Sequence, residues 1–197
     1  MKLDKLKTFA IFDEAVSVTA EDIDNFEKTN ECKLPEDYKK FLLEGFGGIY
    51  TPSPIYSNFY SLSEVYNEVY NKEDKLDIRF PGDINFHKLN ENISFITVGW
   101  IRQGEFELVI FTSGPYAGMT GWFIDGVAID IHGKETFSDV IDTDIIYTYV
   151  RRTQPEWQKW YHENFITDDP SGLLIVRDPN NPPSDFEGPD LPEGFQI

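Results

Sequence analysis

The sequence predicts an α+β protein in which an antiparallel β-sheet is flanked by N-terminal and C-terminal helices. Three observations lead there. Helix start signals occur twice before residue 40, the apolar pattern turns β-rich at Ile93, and an aromatic-rich helical segment follows at Pro155. Helices gathered before and after a block of strands with short turns define α+β rather than alternating α/β.

Thr19 stands ahead of Ala20-Glu21-Asp22-Ile23 as an N-cap, its hydroxyl available to the unpaired amides of the first turn. Glu21 and Asp22 favour the positive end of that helix, and Val18 with Ile23 makes a hydrophobic staple. Ile23 and Phe26 supply its apolar face. A second helix follows, with Pro35 in its first turn and Glu36-Asp37 at its N-terminus. Tyr38, Phe41 and Leu42 share one face, and Gly45 with the Gly47-Gly48 pair ends it. Ser61 and Glu64 read as the capping box of a third helix, with Leu62, Val65, Tyr66 and Val69 as its buried stripe. Thr51-Pro52-Ser53-Pro54 between them reads as a turn or extended linker.

The strands come next. Ile93–Val98 is β-rich and ends at Gly99; Phe106–Phe111 is closed by Ser113-Gly114-Pro115. Trp122–Ile124 and Val127–Ile131 flank Asp125-Gly126, the pair that favours a type I′ hairpin. Pro155 to Phe165 reads as a short helix presenting Trp157, Trp160, Tyr161 and Phe165. Residues 1–177 are expected to form a single domain. The last stretch, 178–197, holds five prolines, five acids and no Lys or Arg, so it reads as an acidic arm or tail in which Phe186, Leu191, Phe195 and Ile197 can serve as anchors.

The chain has 197 residues, with 35 Asp+Glu against 17 Lys+Arg, a formal charge of −18. Aromatics make up 15%, which excludes an acidic chain disordered throughout. The charge argues against nucleic acid or an anionic membrane as partner and favours a basic one. Cys32 is the single cysteine, so no intramolecular disulfide is expected and a reduced, cytoplasmic setting fits. No signal peptide opens the sequence, and no run approaches the ~20 apolar residues of a membrane span.

Little points to catalysis. His87, His132 and His162 lie in no spacing motif, and Cys32 reads as structural. No HExxH, CxxC or calcium loop occurs, so neither a metal nor a cofactor is expected. The glycine-rich loop Gly114–Gly121 lacks the Gly-Lys-Ser/Thr ending of a phosphate loop and connects strands. Asp142-Thr143-Asp144 matches a DxD pattern too short to carry weight, and acids near a helix start explain it. The expectation is a non-enzymatic protein.

Leu34-Pro35-Glu36-Asp37-Tyr38-Lys39-Lys40-Phe41-Leu42-Leu43, followed by Gly47-Gly48, resembles the signature of the SUKH superfamily, the group containing Syd and the yeast regulators of cell-wall glucan synthesis. Phe46 stands where that signature usually has Asn. Phe95–Trp100, the strand Phe106–Phe111 and the hairpin at Asp125-Gly126 resemble the family's sheet. The resemblance implies a compact α+β fold and an immunity protein that binds and neutralises a toxin, nucleases being a frequent class. It also implies an alternative: a regulatory or scaffold protein that binds signalling or cell-wall synthesis proteins. The implied partner is a basic toxin protein, with the chain itself a monomer or weak dimer.

The acidic surface has a preferred location. Gln103 to Gly133 contains no Lys or Arg but holds Glu105, Glu107, Asp125 and Asp130 on or beside strands. Tyr116 and Trp122 lie nearby as aromatic anchors of the kind interfaces favour. As a group, with the sheet face and the 112–121 loop, these six residues are the expected partner-binding set; taken singly, Trp122 reads first as core and the strand acids as a solvated face.

Overall fold

The computed structural model describes residues 1–12, 17–52, 57–71, 73–74, 76–80, 83–89, 91–101, 106–124, 126–131, 136–166, 176–177, 191 and 195. In chain order the elements are α1 (Leu3–Leu6), β1 (Ile11–Phe12), α2 (Ala20–Thr29), α3 (Glu36–Leu43), β2 (Ile49–Thr51), β3 (Ser57–Phe59), β4 (Asn67–Tyr70), β5 (Asp77–Arg79), β6 (His87–Lys88), β7 (Ile93–Ile101), β8 (Phe106–Phe111), β9 (Thr120–Ile124) and β10 (Ala128–Ile131). Then α4 (Phe137–Val140) continues through a π-helical stretch, Ile141–Tyr147, into α5 (Thr148–Arg152), and α6 (Pro155–Asn164) precedes a small ribbon of β11 (Phe165–Ile166) and β12 (Val176–Arg177).

The N-terminal helices form as their caps require. The Thr19 side chain accepts from the Asp22 amide while the Asp22 carboxylate accepts from the Thr19 amide, a reciprocal capping box. Pro35 sits at the N-cap of α3 rather than within its first turn. Gly45 and Gly48 hold φ of +83° and +77°, the left-handed conformation that lets the chain turn out of α3. Phe41 lies at the centre of an aromatic cluster, its ring 5.3 Å from Phe46 and Phe59 and 5.0 Å from Phe137. Asp37 accepts from the Ser138 amide at 2.7 Å and so ties α3 to α4.

A buried acid locks the connection between α2 and α3. Glu27, with only 3% of its side chain exposed, accepts from Lys33 Nζ at 2.5 Å, Lys39 Nζ at 2.9 Å and the Leu34 amide at 2.8 Å. Burial alone would raise its pKa, but the three donors outweigh burial and hold it at about 2. The carboxyl is bound more weakly by protons when folded, so its stabilisation is complete above about pH 4.5 and is lost as pH falls towards 2. That stabilisation is at most about 3 kcal/mol. Urea midpoints measured from pH 6 to pH 2 should fall more steeply for the wild type than for Glu27→Gln; parallel slopes would refute the coupling.

Nine strands of the main sheet run in the order β1-β2-β3-β7-β8-β9-β10-β5-β6, with β4 also paired to β7. The α+β class and the flanking helices are as the sequence predicts. The sheet is mixed, because β10 pairs in parallel with β5 while its other pairings are antiparallel. The hairpin of β9 and β10 turns with Gly126 at φ +71° and the Val127 amide donating to Ile124 O at 3.1 Å; Asp125 lies outside the described residues.

Two further expectations are corrected. No helix follows Ser61. Ser61 and Glu64 make the expected cap contacts, Ser61 N and Oγ donating to Glu64 Oε2 at 2.8 and 2.7 Å, but only a turn forms before β4 pairs with β7. The β-branched and aromatic residues of 65–70 favour a strand once a partner edge is present, and Tyr66 and Val69 are exposed rather than buried. The first long strand also does not end at Gly99. It runs to Ile101, and Gly99 marks a β-bulge between Thr97 and the next register.

Each face of the sheet has its own core. One face, with Ile49, Phe59, Ile96, Val98, Leu108 and Ile110, packs under α1, α2, α3 and the helical rod from Phe137 to Arg152. On the opposite face Ile78, Ile93, Phe95, Val109, Phe111, Phe123 and Ile129 cluster with Leu76 and Leu89, with Tyr70, Phe80, Tyr116 and Met119 at the margin. Trp157 is buried beside Trp160 on α6; the side chains of Tyr161 and Phe165 lie outside the described residues. Leu191 packs against the helix-side core and Phe195 is exposed, while Phe186 and Ile197 are not among the described residues.

Candidate functional site

Strand parity decides which of the expected partner-binding residues share a surface. Glu107 pairs with Phe123, so it points to the face away from the helices, whereas Leu108 pairs with Trp122 on the helix side. Asp130 is registered opposite Trp122 and shares that helix-side face. Trp122 is half-buried, packs against the helix-side core and lies 6.5 Å from the Phe106 ring. Asp130 is clasped by Arg79, which is its neighbour through the parallel β5–β10 pairing, with Nε to Oδ1 at 2.9 Å and a second, shorter contact from the guanidinium. Tyr116 follows β8 in a 3-10 turn and packs its ring against Phe80 and Phe111 at 5.6 and 5.7 Å on the face opposite the helices. Glu105 and Asp125 lie outside the described residues. The four described members therefore occupy two faces, with Glu107 and Tyr116 on one and Trp122 and Asp130 on the other.

Glu107 belongs to a different cluster, contributed by β3, β4 and β7. Glu68 on β4 is registered with Phe95 and shares Glu107's face. It accepts from Thr97 Oγ1 and Tyr70 OH, both at 3.2 Å, so its carboxylate is held in place. Trp100 is directly opposite Glu107 on the neighbouring strand, and both are half-buried. Tyr60, just past β3, donates its amide to Val98 O at 2.9 Å, with Glu64 and the exposed Tyr66 nearby. Among the described residues, neither Glu68 nor Glu107 has a Lys or Arg partner.

The electrostatics follow from this arrangement. Burial, and then the like charge of Glu68, push the Glu107 carboxyl above its ordinary pKa. Burial and Glu68 push the Tyr70 phenol up to about 12. Burial, followed by Glu107 and Glu64, raises Tyr60. Among the described residues no cation neutralises this charge, and burying the Glu107 carboxylate beside Glu68 costs the folded state. At neutral pH the Glu107→Gln variant should therefore melt slightly higher than the wild type, by less than about 1 kcal/mol. A lower melting temperature would show that the carboxylate is internally stabilised.

Sequence reasoning missed Glu68 and Tyr66 as site residues because it placed 61–69 on a helix, and Tyr60, just ahead of that span, carried no signal of its own. The signal that could have found Glu68 and Tyr66 was the β-rich run Tyr66-Asn67-Glu68-Val69-Tyr70. Chemistry beyond charge is sparse. Burial, and then Glu27, raise the Cys32 thiol pKa, which disfavours the nucleophilic thiolate. Asp142 accepts from the Lys2 amide at 2.6 Å, which gives it a structural partner. Among the described residues no group of three His, Cys, Asp or Glu is placed to hold a metal ion, and no helix is long and apolar enough to cross a membrane.

A mixed sheet with helices over one face, a second core over half of the other and an acid-bearing remainder defines a protein of the α+β class. The chain belongs to the SMI1 / KNR4 family (SUKH-1), whose family model matches residues 17–188. That family is known for immunity proteins and is generally non-enzymatic. No curated protein and no solved structure matches the chain.

Proposed function

We propose that this protein is a non-enzymatic, cytoplasmic immunity protein that binds and neutralises a cognate basic toxin, a nuclease being the class whose substrate groove best fits an acidic inhibitor. The observation that carries the reading is the Glu68–Glu107 pair, two carboxylates on one open face with no cation opposite them among the described residues. A partner's Lys or Arg would relieve their repulsion on binding, so the complex gains what the free protein lacks. The net charge of −18 adds long-range steering towards such a partner. Of the six residues expected from sequence, Glu107 is the one we carry into this surface. Asp130 is already paired with Arg79, and the Trp122 ring is largely engaged with the core.

We further propose one domain over residues 1–177 with residues 178–197 as an acidic arm. Leu191 against the helix-side core supports an arm that lies on the domain. The protein acts as a monomer or weak dimer.

The test is direct association with the protein encoded by the neighbouring open reading frame. Calorimetry should give a stoichiometric complex whose affinity falls as salt rises. Absence of binding at low salt would reject the reading, and enrichment of signalling or cell-wall factors in its place would favour the regulatory alternative.

A further inference from the structure

We infer that the half of the sheet from β1 to β8, on the face away from the helices and left open by the described residues, is the docking surface for the basic partner proposed above, with an acidic end that steers and an apolar end that holds. The inference rests on that reading of function. Its basis is a single row across the sheet: Ile11 pairs with Tyr50, Tyr50 with Asn58, Asn58 with Trp100 and Trp100 with Glu107. Residues in register across neighbouring strands project to the same face, so these five side chains line one surface. At ~4.8 Å per strand the row spans roughly 19 Å, the scale of a protein–protein contact patch.

The row continues beyond Glu107 into Phe123, Ile129 and Ile78, all buried in the second core. Glu107 thus marks the boundary where the covered half stops. On the open side, Ile11 and Tyr50 are each 40% exposed and Trp100 is half-buried. Ile11, Tyr50 and Trp100, left partly exposed beside Glu68 and Glu107, which have no Lys or Arg partner among the described residues, call for a partner that covers the rings and supplies a cation. A second copy of this chain would bring another charge of −18 to this face and supply no excess of cations, so the occupant is a basic protein.

The two ends should be separable in kinetics. Steering charges act mainly on association, and desolvated rings and aliphatic groups act mainly on dissociation. Ile11→Arg and Tyr50→Arg replace exposed side chains, so each variant should melt with the wild type. Against the protein encoded by the neighbouring open reading frame, each should dissociate roughly tenfold faster or more, because a cation now faces a basic partner where an apolar contact stood. Glu68→Gln with Glu107→Gln should slow association at low salt and change dissociation less. Wild-type dissociation rates in both Arg variants, with the wild-type chain binding normally, overturn the surface and leave the functional reading standing. Failure of the wild-type chain to bind overturns that reading and the surface with it. A self-associated chain that Tyr50→Arg converts to monomer overturns the choice of occupant.

Discussion

Gly99→Ala should cost about 3 kcal/mol or more of folding stability, a large share of what a domain of this kind has. A Cβ at position 99 would lie 2.1 Å from Asn58 O and 3.0 Å from the Phe59 Cα, both backbone atoms of β3. No side-chain rotation relieves such a contact, so either β3 moves away or the bulge in β7 closes. Moving β3 breaks the Asn58–Trp100 and Phe59–Gly99 pairings and the hydrogen bond that the Tyr60 amide donates to Val98 O. The damage reaches the site, because Trp100, which pairs with Asn58 on one side, pairs with Glu107 on the other. Urea unfolding should show a strongly lowered midpoint together with weaker partner association. A loss below about 1 kcal/mol would mean that β3 is held less closely than described.

The second large effect is on association. Reversing Glu68 and Glu107 to Lys together should slow binding to a basic partner by roughly ten- to a hundredfold at low ionic strength. The difference should shrink as salt rises and the Debye length falls from about 10 Å at 0.1 M to about 3 Å at 1 M. Glu68 also accepts from Thr97 and Tyr70, so part of any stability change belongs to those lost hydrogen bonds. Glu68→Gln with Glu107→Gln separates the two, because the amide oxygen still accepts while the charge is gone. Reversal at Asp130 is a poorer probe, since a Lys there would face Arg79 and disturb the β5–β10 pairing itself. Unchanged association at low salt in the double Lys variant would exclude this face as the steering surface.

Local chemistry made much of the fold legible. The Thr19 cap, the Pro35-led helix and its glycine exit, and the apolar runs of β7 to β10 are determined within a few residues, and the structure places them close to where the sequence suggests. The departures have one kind of cause, which is contact between distant segments. Ser61 to Glu64 satisfies a helix cap, yet the following residues go to β7 because an edge some 25 residues away offers a full set of backbone partners. The short strands β5 and β6 carry little periodicity of their own; β5 exists through its pairing with β10.

The site shows the same division. An acid-rich, base-free stretch from Gln103 to Gly133 was visible in the sequence, but sequence position says nothing of register. Glu107 and Trp122 sit on adjacent strands and point to opposite faces because Glu107 pairs with Phe123, one residue along. Asp130 appeared unpaired until the parallel strand brought in Arg79, 51 residues away in sequence. Glu68 was concealed by the helical reading of its neighbours.

Survival under co-expression tests the central proposal most directly. Cells producing the protein encoded by the neighbouring open reading frame should die without this chain and survive with it, while the Glu68→Lys/Glu107→Lys double variant, expressed at the same level, should protect poorly. Survival that does not depend on the presence of this chain would contradict toxin neutralisation.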